Sequence, residues 1–556
     1  MASSFLRGLS LAFAFCSYAT MVYGQSLESG SGAKYGGLSS PADIGVIAQF
    51  NDSMYTTEIV LGGQNFTVVV DTGSTDLWVD ARGLNLKTTN NTGFNVNFSY
   101  AIGEVEGEIQ YADLQIGPYV IPNQVFISAT KVSPVDSFPG NVKGLIGMAF
   151  DTATIFQTLM GTWGLGSAQQ LGRAPITNLF TQNPSAPAYF DLQLSRIDAD
   201  GAEQEGHFLF GQHAKGLEAV EQAPKLERIQ VDHWTVALDA MTINGKQYTG
   251  WNKSAVPSLP EGKIATVFDS GFTYPQIPEA AVNAIYSSIP GAVPYHGPIP
   301  GTDNVGDVTS WIVPCNASTN LTFTLGGQEF PVHPRDLITM YNGVKLDTVD
   351  GIDMVANTTI CLNTWQVGEP VGEYDILLGM AFLRNVYASF HYGDYTPPGN
   401  STTGQLPYVQ FLSLTDREKA WAEFNDYIAQ KLAGFAPPAD PASFVKVLNA
   451  YISHSQAGAS SGSSSASADA TGDLAVSGAA SDSSSDGSDK HSGDFGRLAA
   501  GLSAASVAIG LIGLSVSLFM CIRGVKGRRD AQYKPLRLPK EDATGLDAER
   551  GALYRD

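Results

Sequence analysis

Cysteine is scarce in this chain. Only four cysteines occur in 556 residues, at positions 16, 315, 361 and 521. Cys16 falls in an apolar segment near the N-terminus and Cys521 in one near the C-terminus, which leaves Cys315 and Cys361. This shortage excludes a cysteine-rich metal cluster, and we expect neither a metal nor another cofactor. In an oxidising compartment the two remaining thiols predict one disulfide.

Basic residues are also few. The chain has 32 Lys and Arg against 54 Asp and Glu, and its net charge is −22. Such a surface repels a phosphate backbone, so nucleic-acid binding is excluded. The excess of carboxylates is relieved when they protonate and suits acidic surroundings, although acidic surfaces are equally common among secreted proteins.

Two apolar segments predict that the protein enters the secretory pathway and is anchored in a membrane. Residues 1–24 have one basic residue, an apolar stretch and a small residue at the end, which is typical of a signal peptide. Residues 498–522 have no charge and are followed by four basic residues within the predicted cytosolic tail, residues 523–556. This pattern predicts one transmembrane helix. We therefore expect a single-pass type I membrane protein at the cell surface or in a secretory or vacuolar membrane, with its bulk extracellular or luminal.

Sugar attachment is predicted along the luminal part. Nine Asn-x-Ser/Thr sequons occur, at positions 51, 65, 90, 97, 252, 316, 320, 357 and 400. Residues 455–497 are rich in Ser, Gly and Ala and have little to bury, which is typical of a flexible stalk. The protein is expected to be a glycoprotein.

From Gly45 to Leu414 the chain consists of short apolar or alternating runs separated by Gly, Pro and Asn, which predicts a mostly β region. Helical patches are few there, and the clearest follows Pro278. Residues 415–454 form a predicted helical extension. In it Thr415 and Glu418 match a capping box, an amphipathic helix follows, and a second helix is expected after Asp440.

Residues 67–79, TVVVDTGSTDLWV, place a carboxylate directly after an apolar strand. Asp71 begins an Asp-Thr-Gly turn, and in the second half of the chain Asp269 begins an Asp-Ser-Gly turn after another apolar run. Each turn is followed by a nearly identical stretch, GLIGMAF at residues 144–150 and LLGMAF at residues 377–382. The chain therefore contains two diverged copies of one strand-turn-strand unit.

Two such units facing each other across a pseudo-twofold axis would bring Asp71 and Asp269 together. Like charges a few ångströms apart cannot both ionise readily, so the pair holds one proton over an acidic range. The ionised carboxyl can take a proton from water while the protonated one donates to a carbonyl oxygen. This chemistry hydrolyses an amide without a metal or a covalent intermediate.

With these paired motifs the chain resembles the pepsin-family aspartic proteases, in particular fungal members, over about two thirds of its length. The resemblance implies a mostly β, bilobal fold with pseudo-twofold lobes at residues 45–225 and 226–414. With the predicted C-terminal transmembrane helix, the layout is similar to that of the β-secretases. The resemblance further implies a monomeric aspartic-type endopeptidase that acts on polypeptides at acidic pH.

Matched residue by residue, the resemblance makes Asp71 and Asp269 the catalytic pair. It implies that the hydroxyls of Thr72 and Ser270 lock the two turns together and that Ser74 bonds the outer oxygen of Asp71. The turn glycines, Gly73 and Gly271, complete the support of the pair.

Three further assignments follow from the resemblance. Tyr100 lies where the family has the tyrosine of a β-hairpin flap that closes over the substrate, and Gly103 belongs to the same flap. Trp78 lies where the family has the partner of that tyrosine. Cys315 and Cys361 match the disulfide of the second lobe.

Three features depart from the family pattern. Phe272 stands where the family usually has Thr or Ser, so Asp269 lacks the donor that Ser74 provides to Asp71 and is expected to hold the proton of the pair. The leader, residues 25–44, is short compared with the usual basic prosegment. Ile102 replaces the Asp with which some fungal relatives accept Lys, so hydrophobic residues are expected around the scissile bond.

Two other interpretations belong to different classes of protein. One is a catalytically inactive pepsin-like binding protein at the cell surface, and the other is a surface adhesin raised on the Ser-rich stalk. The presence of both aspartates, both glycines and the flap tyrosine favours the enzyme.

Overall fold

The computed structural model describes residues 45–461, except for positions 46, 50–51, 101–102, 134–140, 185, 205, 303, 305–307, 347–354, 397–399 and 402–403. The described residues belong to one compact unit. The predicted signal peptide, leader, transmembrane helix and tail lie outside them, as does the predicted stalk beyond Ser461. Within the described part of the chain, no helix is both long and apolar enough to cross a membrane.

The first half of the chain builds an eight-stranded sheet. Its strands are β1 (Ile47–Gln49), β2 (Met54–Leu61), β3 (Gln64–Asp71), β4 (Leu77–Val79), β5 (Thr88–Tyr100), β6 (Gly103–Ile116), β7 (Tyr119–Ser133) and β8 (Val142–Gly147). Their order in the sheet is β1-β2-β3-β8-β4-β7-β6-β5. The short apolar runs of the sequence thus form strands, as predicted.

The remaining strands are shorter on average. They are β9 (Tyr189–Gln193), β10 (His207–Phe210), β11 (Leu226–Glu227), β12 (Thr235–Leu238), β13 (Ala240–Ile243), β14 (Lys246–Gln247), β15 (Ile264–Phe268), β16 (Gln276–Ile277), β17 (Val293–His296), β18 (Thr309–Val313), β19 (Leu321–Leu325), β20 (Gln328–Val332), β21 (Ile338–Leu346), β22 (Val355–Asn363), β23 (Gln366–Val367), β24 (Ile376–Leu378), β25 (Val386–His391), β26 (Tyr395–Thr396), β27 (Asn400–Ser401) and β28 (Tyr408–Ser413). The prediction of a mostly β protein is confirmed.

Strands from both halves of the chain share a central sheet of order β10-β9-β25-β28-β11. The second half also has a sheet of order β12-β15-β24-β16-β23, two four-stranded sheets (β14-β13-β19-β20 and β17-β18-β22-β21) and the pair β26-β27. The central sheet contains strands from both sides of position 225. The lobe boundary predicted at that position therefore does not separate the sheets, and it stays a prediction.

The internal repeat is visible in two parallel strand pairs. β3 runs parallel to β8 with Asp71 opposite Gly147, and β15 runs parallel to β24 with Phe268 opposite Leu378. In both copies the strand that leads to the aspartate therefore pairs with the strand that leads into the repeated Gly-Met-Ala-Phe stretch. The structure confirms that the two halves contain the same local unit.

Helices are more numerous than the sequence suggested. They are α1 (Thr154–Trp163), α2 (Leu165–Leu171), α3 (Pro175–Gln182), α4 (Glu279–Tyr286), α5 (Met380–Leu383), α6 (Arg417–Ala433) and α7 (Pro441–Ser461), with 3₁₀ turns at Glu218–Gln222 and Pro334–Leu337. The helix expected after Pro278 is α4. The prediction of few helical patches missed α1 to α3, although α1 buries Ile155, Phe156 and Leu159 at helical spacing.

The capping box predicted for the extension is wrong. The N-cap of α6 is Asp416, whose carboxylate accepts hydrogen bonds from the backbone amides of Glu418 and Lys419. Thr415 instead donates to Asn385 Oδ1 at 2.5 Å. A carboxylate at the N-terminus also interacts favourably with the helix dipole, which favours Asp over Thr here.

Both extension helices are present, as predicted, and both dock on the β body. α6 buries Phe424 and Ile428 in the main core, while α7 buries Phe444 and Leu448 in a separate cluster. Between them, Pro437 accepts a hydrogen bond from the Thr359 amide at 3.0 Å. α7 runs to Ser461 and so enters the segment predicted as stalk from position 455.

The predicted disulfide between Cys315 and Cys361 is present. It links the loop after β18 to β22, and both cysteines are buried. Since the bond closes a loop with a sequence separation of 46, replacing both cysteines by alanine should lower the free energy of unfolding by about 2–4 kcal/mol. Urea unfolding of the double variant beside the parent protein measures this difference. A loss below about 0.5 kcal/mol would contradict the prediction.

Candidate active site

The two motif aspartates lie at the ends of buried strands. Asp71 is the last residue of β3, and its backbone carbonyl accepts a hydrogen bond from the Met148 amide at 2.8 Å. Asp269 directly follows β15, and its amide donates to the Leu378 carbonyl at 3.1 Å. Each carboxyl is thus anchored by the repeated strand that packs beside it.

Thr72 and Ser270 join the two halves through reciprocal hydrogen bonds. The Thr72 hydroxyl accepts from the Ser270 amide and donates to the Phe268 carbonyl, both at 2.9 Å. The Ser270 hydroxyl accepts from the Thr72 amide at 3.0 Å and donates to the Val70 carbonyl at 2.7 Å. Both side chains are fully buried. The two residues are brought together as the resemblance implied, and they hold the two turns in register.

The turn glycines let the two carboxyls approach each other. The Gly73 amide donates to Asp71 Oδ1 at 2.9 Å, and the Gly271 amide donates to Asp269 Oδ1 at 2.8 Å. A Cβ on Gly73 would lie 2.6 Å from Asp269 Oδ1, and a Cβ on Gly271 would clash with the Asp71 carboxyl. Each glycine therefore faces the aspartate of the other half, and the space between them is too small for any larger residue.

The surroundings of the two carboxyls differ. Burial, the charge of Asp71 and a hydrogen bond to Asp71 raise the pKa of Asp269 well above its ordinary value. Ser74 donates its hydroxyl proton to Asp71 Oδ2. At the matching position of the second turn stands Phe272, whose side chain has no hydroxyl to donate.

β5 and β6 are the antiparallel strands of the predicted flap, with Tyr100 as the last residue of β5 and Gly103 as the first of β6. The Trp78 indole donates to the Tyr100 hydroxyl at 3.0 Å, so the structure brings these two residues together. Burial and the nearby charge of Asp71 raise the pKa of Tyr100 well above its ordinary value. Gly103 has φ of 104°, which favours glycine. Ile102, on which the specificity expectation rests, lies outside the described residues.

A third acidic residue, Asp76, lies near Tyr100 and was missed at the sequence level. It is buried, and its Oδ2 accepts from the Ile155 amide at the start of α1 at 3.2 Å. Burial raises the pKa of Asp76 to about 7. A signal was available in the sequence, because Asp76 interrupts the apolar run that continues with Leu77 and Trp78.

Two titratable residues on the Asp269 side were also missed. Burial and the charge of Asp269 raise the pKa of Tyr374 to about 12, which places the phenol near that aspartate. The rings of Tyr374 and His233 are 6.2 Å apart, and His233 Nδ1 lies 3.0 Å from a carboxylate oxygen of Glu373. Nothing in the sequence pattern marks these residues, because they come from two distant loops.

The carboxyls of the site take their hydrogen bonds from the protein. Asp71, Asp76 and Asp269 accept from backbone amides, and Asp71 also accepts from a hydroxyl. Over residues 45–461, within the described positions, no group of three or more His, Cys, Asp or Glu side chains could hold a metal ion. The orientation of the carboxyls is therefore set by protein donors.

Comparison with known proteins agrees with this geometry. The family model described as eukaryotic aspartyl protease matches residues 54–396, a segment that contains both aspartates, the flap and the disulfide. The match covers more than half of the chain.

Individual relatives are distant but span most of their own length. Vacuolar protease A of Arthroderma otae is 24% identical over 63% of this chain and 79% of its own. An aspartic protease of Phaffia rhodozyma is 26% identical over 62% of this chain and 76% of its own. Pepsin A of Bos taurus is 23% identical over 63% of this chain and 84% of its own.

Proposed function

The chain belongs to the eukaryotic aspartyl protease family and is an aspartic-type endopeptidase, and from this premise we propose that Asp71 and Asp269 hydrolyse peptide bonds at acidic pH. The observation that supports the proposal most strongly is the convergence of the two carboxyls across Gly73 and Gly271. Each glycine faces the aspartate of the other half, so a substrate carbonyl that approaches one carboxyl also meets the second.

The two carboxyls divide the work of general acid and general base. Asp269 holds the proton, since its pKa is raised and Phe272 offers no hydroxyl to its charged form. Asp71 carries the negative charge, which the amide of Gly73 and the hydroxyl of Ser74 stabilise. Asp71 then takes a proton from the attacking water, whose oxygen bonds to the carbonyl carbon, while Asp269 donates its proton to the carbonyl oxygen. The tetrahedral intermediate collapses as the C–N bond breaks, Asp71 gives its proton to the amine nitrogen, and Asp269 recovers a proton from a hydroxyl of the intermediate.

Tyr100 and Trp78 organise the flap side of the site. The indole of Trp78 fixes the Tyr100 hydroxyl, and the Tyr100 ring packs edge-on against Phe98 with centroids 5.3 Å apart. A substrate that enters beneath the flap therefore meets aromatic surface. We propose that hydrophobic residues are preferred around the scissile bond.

We also propose where the protein resides in the cell. The predicted signal peptide and the apolar segment 498–522 support a single-pass type I membrane protein, with the catalytic region extracellular or luminal. Several relatives carry the name vacuolar protease, which supports an acidic compartment.

Cleavage of a diverse peptide library by the full chain, scanned from about pH 3 to 7 beside Asp71→Asn, tests the function. Acid-dependent cleavage that the substitution abolishes, with hydrophobic residues flanking the cut, is the expected result. A preference for Lys would contradict the specificity. Absence of cleavage by a folded, disulfide-bonded sample would favour the inactive binding protein.

Phe272→Thr tests the unequal pair. A hydroxyl beside Asp269 should stabilise its ionised form, lower its pKa and move the alkaline limb of the kcat/KM profile to lower pH by about one unit. Phe272→Leu, which changes the ring without adding a donor, is the matched control and should leave that limb in place. An unmoved profile in Phe272→Thr would contradict the assignment of the proton to Asp269.

A further inference from the structure

The flap strand β5 is a long free edge. It stands last in the order of the eight-stranded sheet, and among the described residues no strand pairs with its outer side. Its thirteen residues, TTNNTGFNVNFSY, contain no charge and no proline. The opposite edge, β1, has only three residues. The ladder with β6 is irregular between residues 88 and 90 and between residues 91 and 95, and it is regular from Asn95 to Tyr100. An uncharged edge of this kind is a template for pairing with another chain, and proteins normally protect such edges.

Two of the nine sequons lie on this strand, Asn90-Asn91-Thr92 and Asn97-Phe98-Ser99. Both acceptor asparagines are exposed. The Asn90 Oδ1 atom accepts from the Asn91 amide at 2.8 Å, so the side chain presents its Nδ2, the atom that carries an N-linked glycan, away from that contact. Asn97 pairs with Glu106 of β6, which is also exposed.

The other face of the strand points into the molecule. Val96 is buried, and the partly buried Phe94, Phe98 and Tyr100 pack on the cluster that contains Trp78. Because side chains alternate along a strand, Asn97 lies on the face opposite to these residues. A bulky group on Asn97 would therefore cover the outside of the flap and leave the surface beneath it to the substrate.

We propose that Asn90 and Asn97 carry N-linked glycans that shield the free edge of β5 and keep the protein monomeric. The inference rests on the proposed secretory route. There, the donor is a lipid-linked oligosaccharyl pyrophosphate. The asparagine Nδ2 forms a bond to C1 of the first sugar, the bond from C1 to the pyrophosphate oxygen breaks, and the amide loses one proton as the lipid pyrophosphate leaves.

Site occupancy is measured on the full chain purified from a eukaryotic secretory host. Amidase release of N-glycans in heavy-oxygen water converts each occupied asparagine to labelled aspartate, which peptide mass spectrometry detects. Label at positions 90 and 97 is the expected result, and their absence overturns the proposal. Asn65 and Asn252 are exposed sequons outside β5, and they distinguish failure of the edge inference from failure of the proposed secretory route. If they are labelled while the β5 sites are not, the edge inference fails alone, whereas if none is labelled the secretory route fails too.

Shielding is tested by the double variant Asn90→Gln/Asn97→Gln beside the control Asn65→Gln/Asn252→Gln. In sedimentation equilibrium the β5 variant should self-associate with a dissociation constant at least about tenfold lower than that of the parent and the control. Its kcat/KM for a short peptide should match the parent, because Asn97 lies on the outer face of the strand and Asn90 is exposed and ten residues before Tyr100 on β5. Enzymatic glycan removal from folded parent protein gives the same comparison without relying on refolding. Monomeric behaviour equal to that of the control overturns the shielding role.

Discussion

Asp71→Asn is expected to lower kcat/KM for a cleavable peptide by about 10⁴-fold across the acidic range. The amide cannot take the proton of the attacking water, and the pair loses the single negative charge on which its acid–base cycle depends. Asp269→Asn should have a comparable effect, since it removes the proton donor to the substrate carbonyl. The measurement is steady-state cleavage at the pH of maximal parent activity.

The loss of activity in Asp71→Asn can be assigned to the catalytic step only if the variant is shown to be folded. Asn in place of Asp71 keeps an acceptor for the Gly73 amide. Thermal stability in acid should therefore stay close to that of the parent. Asp426→Asn, an exposed site on α6, changes the charge equally and should leave activity unchanged. Residual cleavage by Asp71→Asn within about tenfold of the parent would rule out the proposed roles.

Neutral pH should destabilise the protein, and Asp76 should account for much of the loss. Burial raises the pKa of Asp76 from 3.8 to about 7 in the folded state. Below about pH 4 the carboxyl is protonated in the folded and unfolded chains alike, and stability is unaffected. As the pH rises to 7 the unfolded chain releases this proton first, so the folded state loses stability, on the order of 4 kcal/mol in full.

Asp76→Asn removes this dependence because the amide does not titrate. The free energy of unfolding of the variant should match that of the parent near pH 4 and exceed it by a few kcal/mol near pH 7.5. Urea unfolding at both pH values gives the comparison, with Asp426→Asn as the exposed control. Equal slopes of stability against pH in Asp76→Asn and the parent would refute the assignment.

Other buried groups also titrate, which is why the variant must be compared with its parent. Burial raises the pKa of Asp151 to about 6 and adds to the loss at neutral pH. Burial lowers the pKa of His391 to about 3, so this residue favours the unfolded chain as the pH falls below 6.5. The contribution of His391 cancels in the difference between Asp76→Asn and the parent, and that of Asp151 cancels apart from its charge interaction with Asp76.

The sequence predicted the parts of the site that are repeated. Asp71 and Asp269 could be paired because each follows an apolar strand and precedes the same Gly-Met-Ala-Phe stretch. The disulfide followed from the scarcity of cysteine. Such features are readable because a pattern recurs or because few alternatives exist.

What the sequence did not reveal depends on distant contacts. Asp76 is placed at the start of α1 by tertiary packing, and its pKa follows from that burial. Asp416 caps α6 in place of Thr415, because Thr415 finds a partner in Asn385, which is remote in sequence. His233 and Tyr374 meet only when two loops of the second half fold together. Local propensity contains no information on the burial of Asp76, on the contact of Thr415 with Asn385 or on the meeting of His233 and Tyr374.

The central sheet affects how the protein folds during its synthesis on the ribosome. β9 pairs with β25, which in turn pairs with β28, so Phe190 lies opposite Phe390, and Phe390 opposite Val409. The eight-stranded sheet can form while synthesis continues, but β9 must wait for about 200 further residues, which take at least ten seconds or so to emerge at typical rates. Until then Phe190 and its neighbours expose apolar surface, and the nascent chain should need a chaperone on that face.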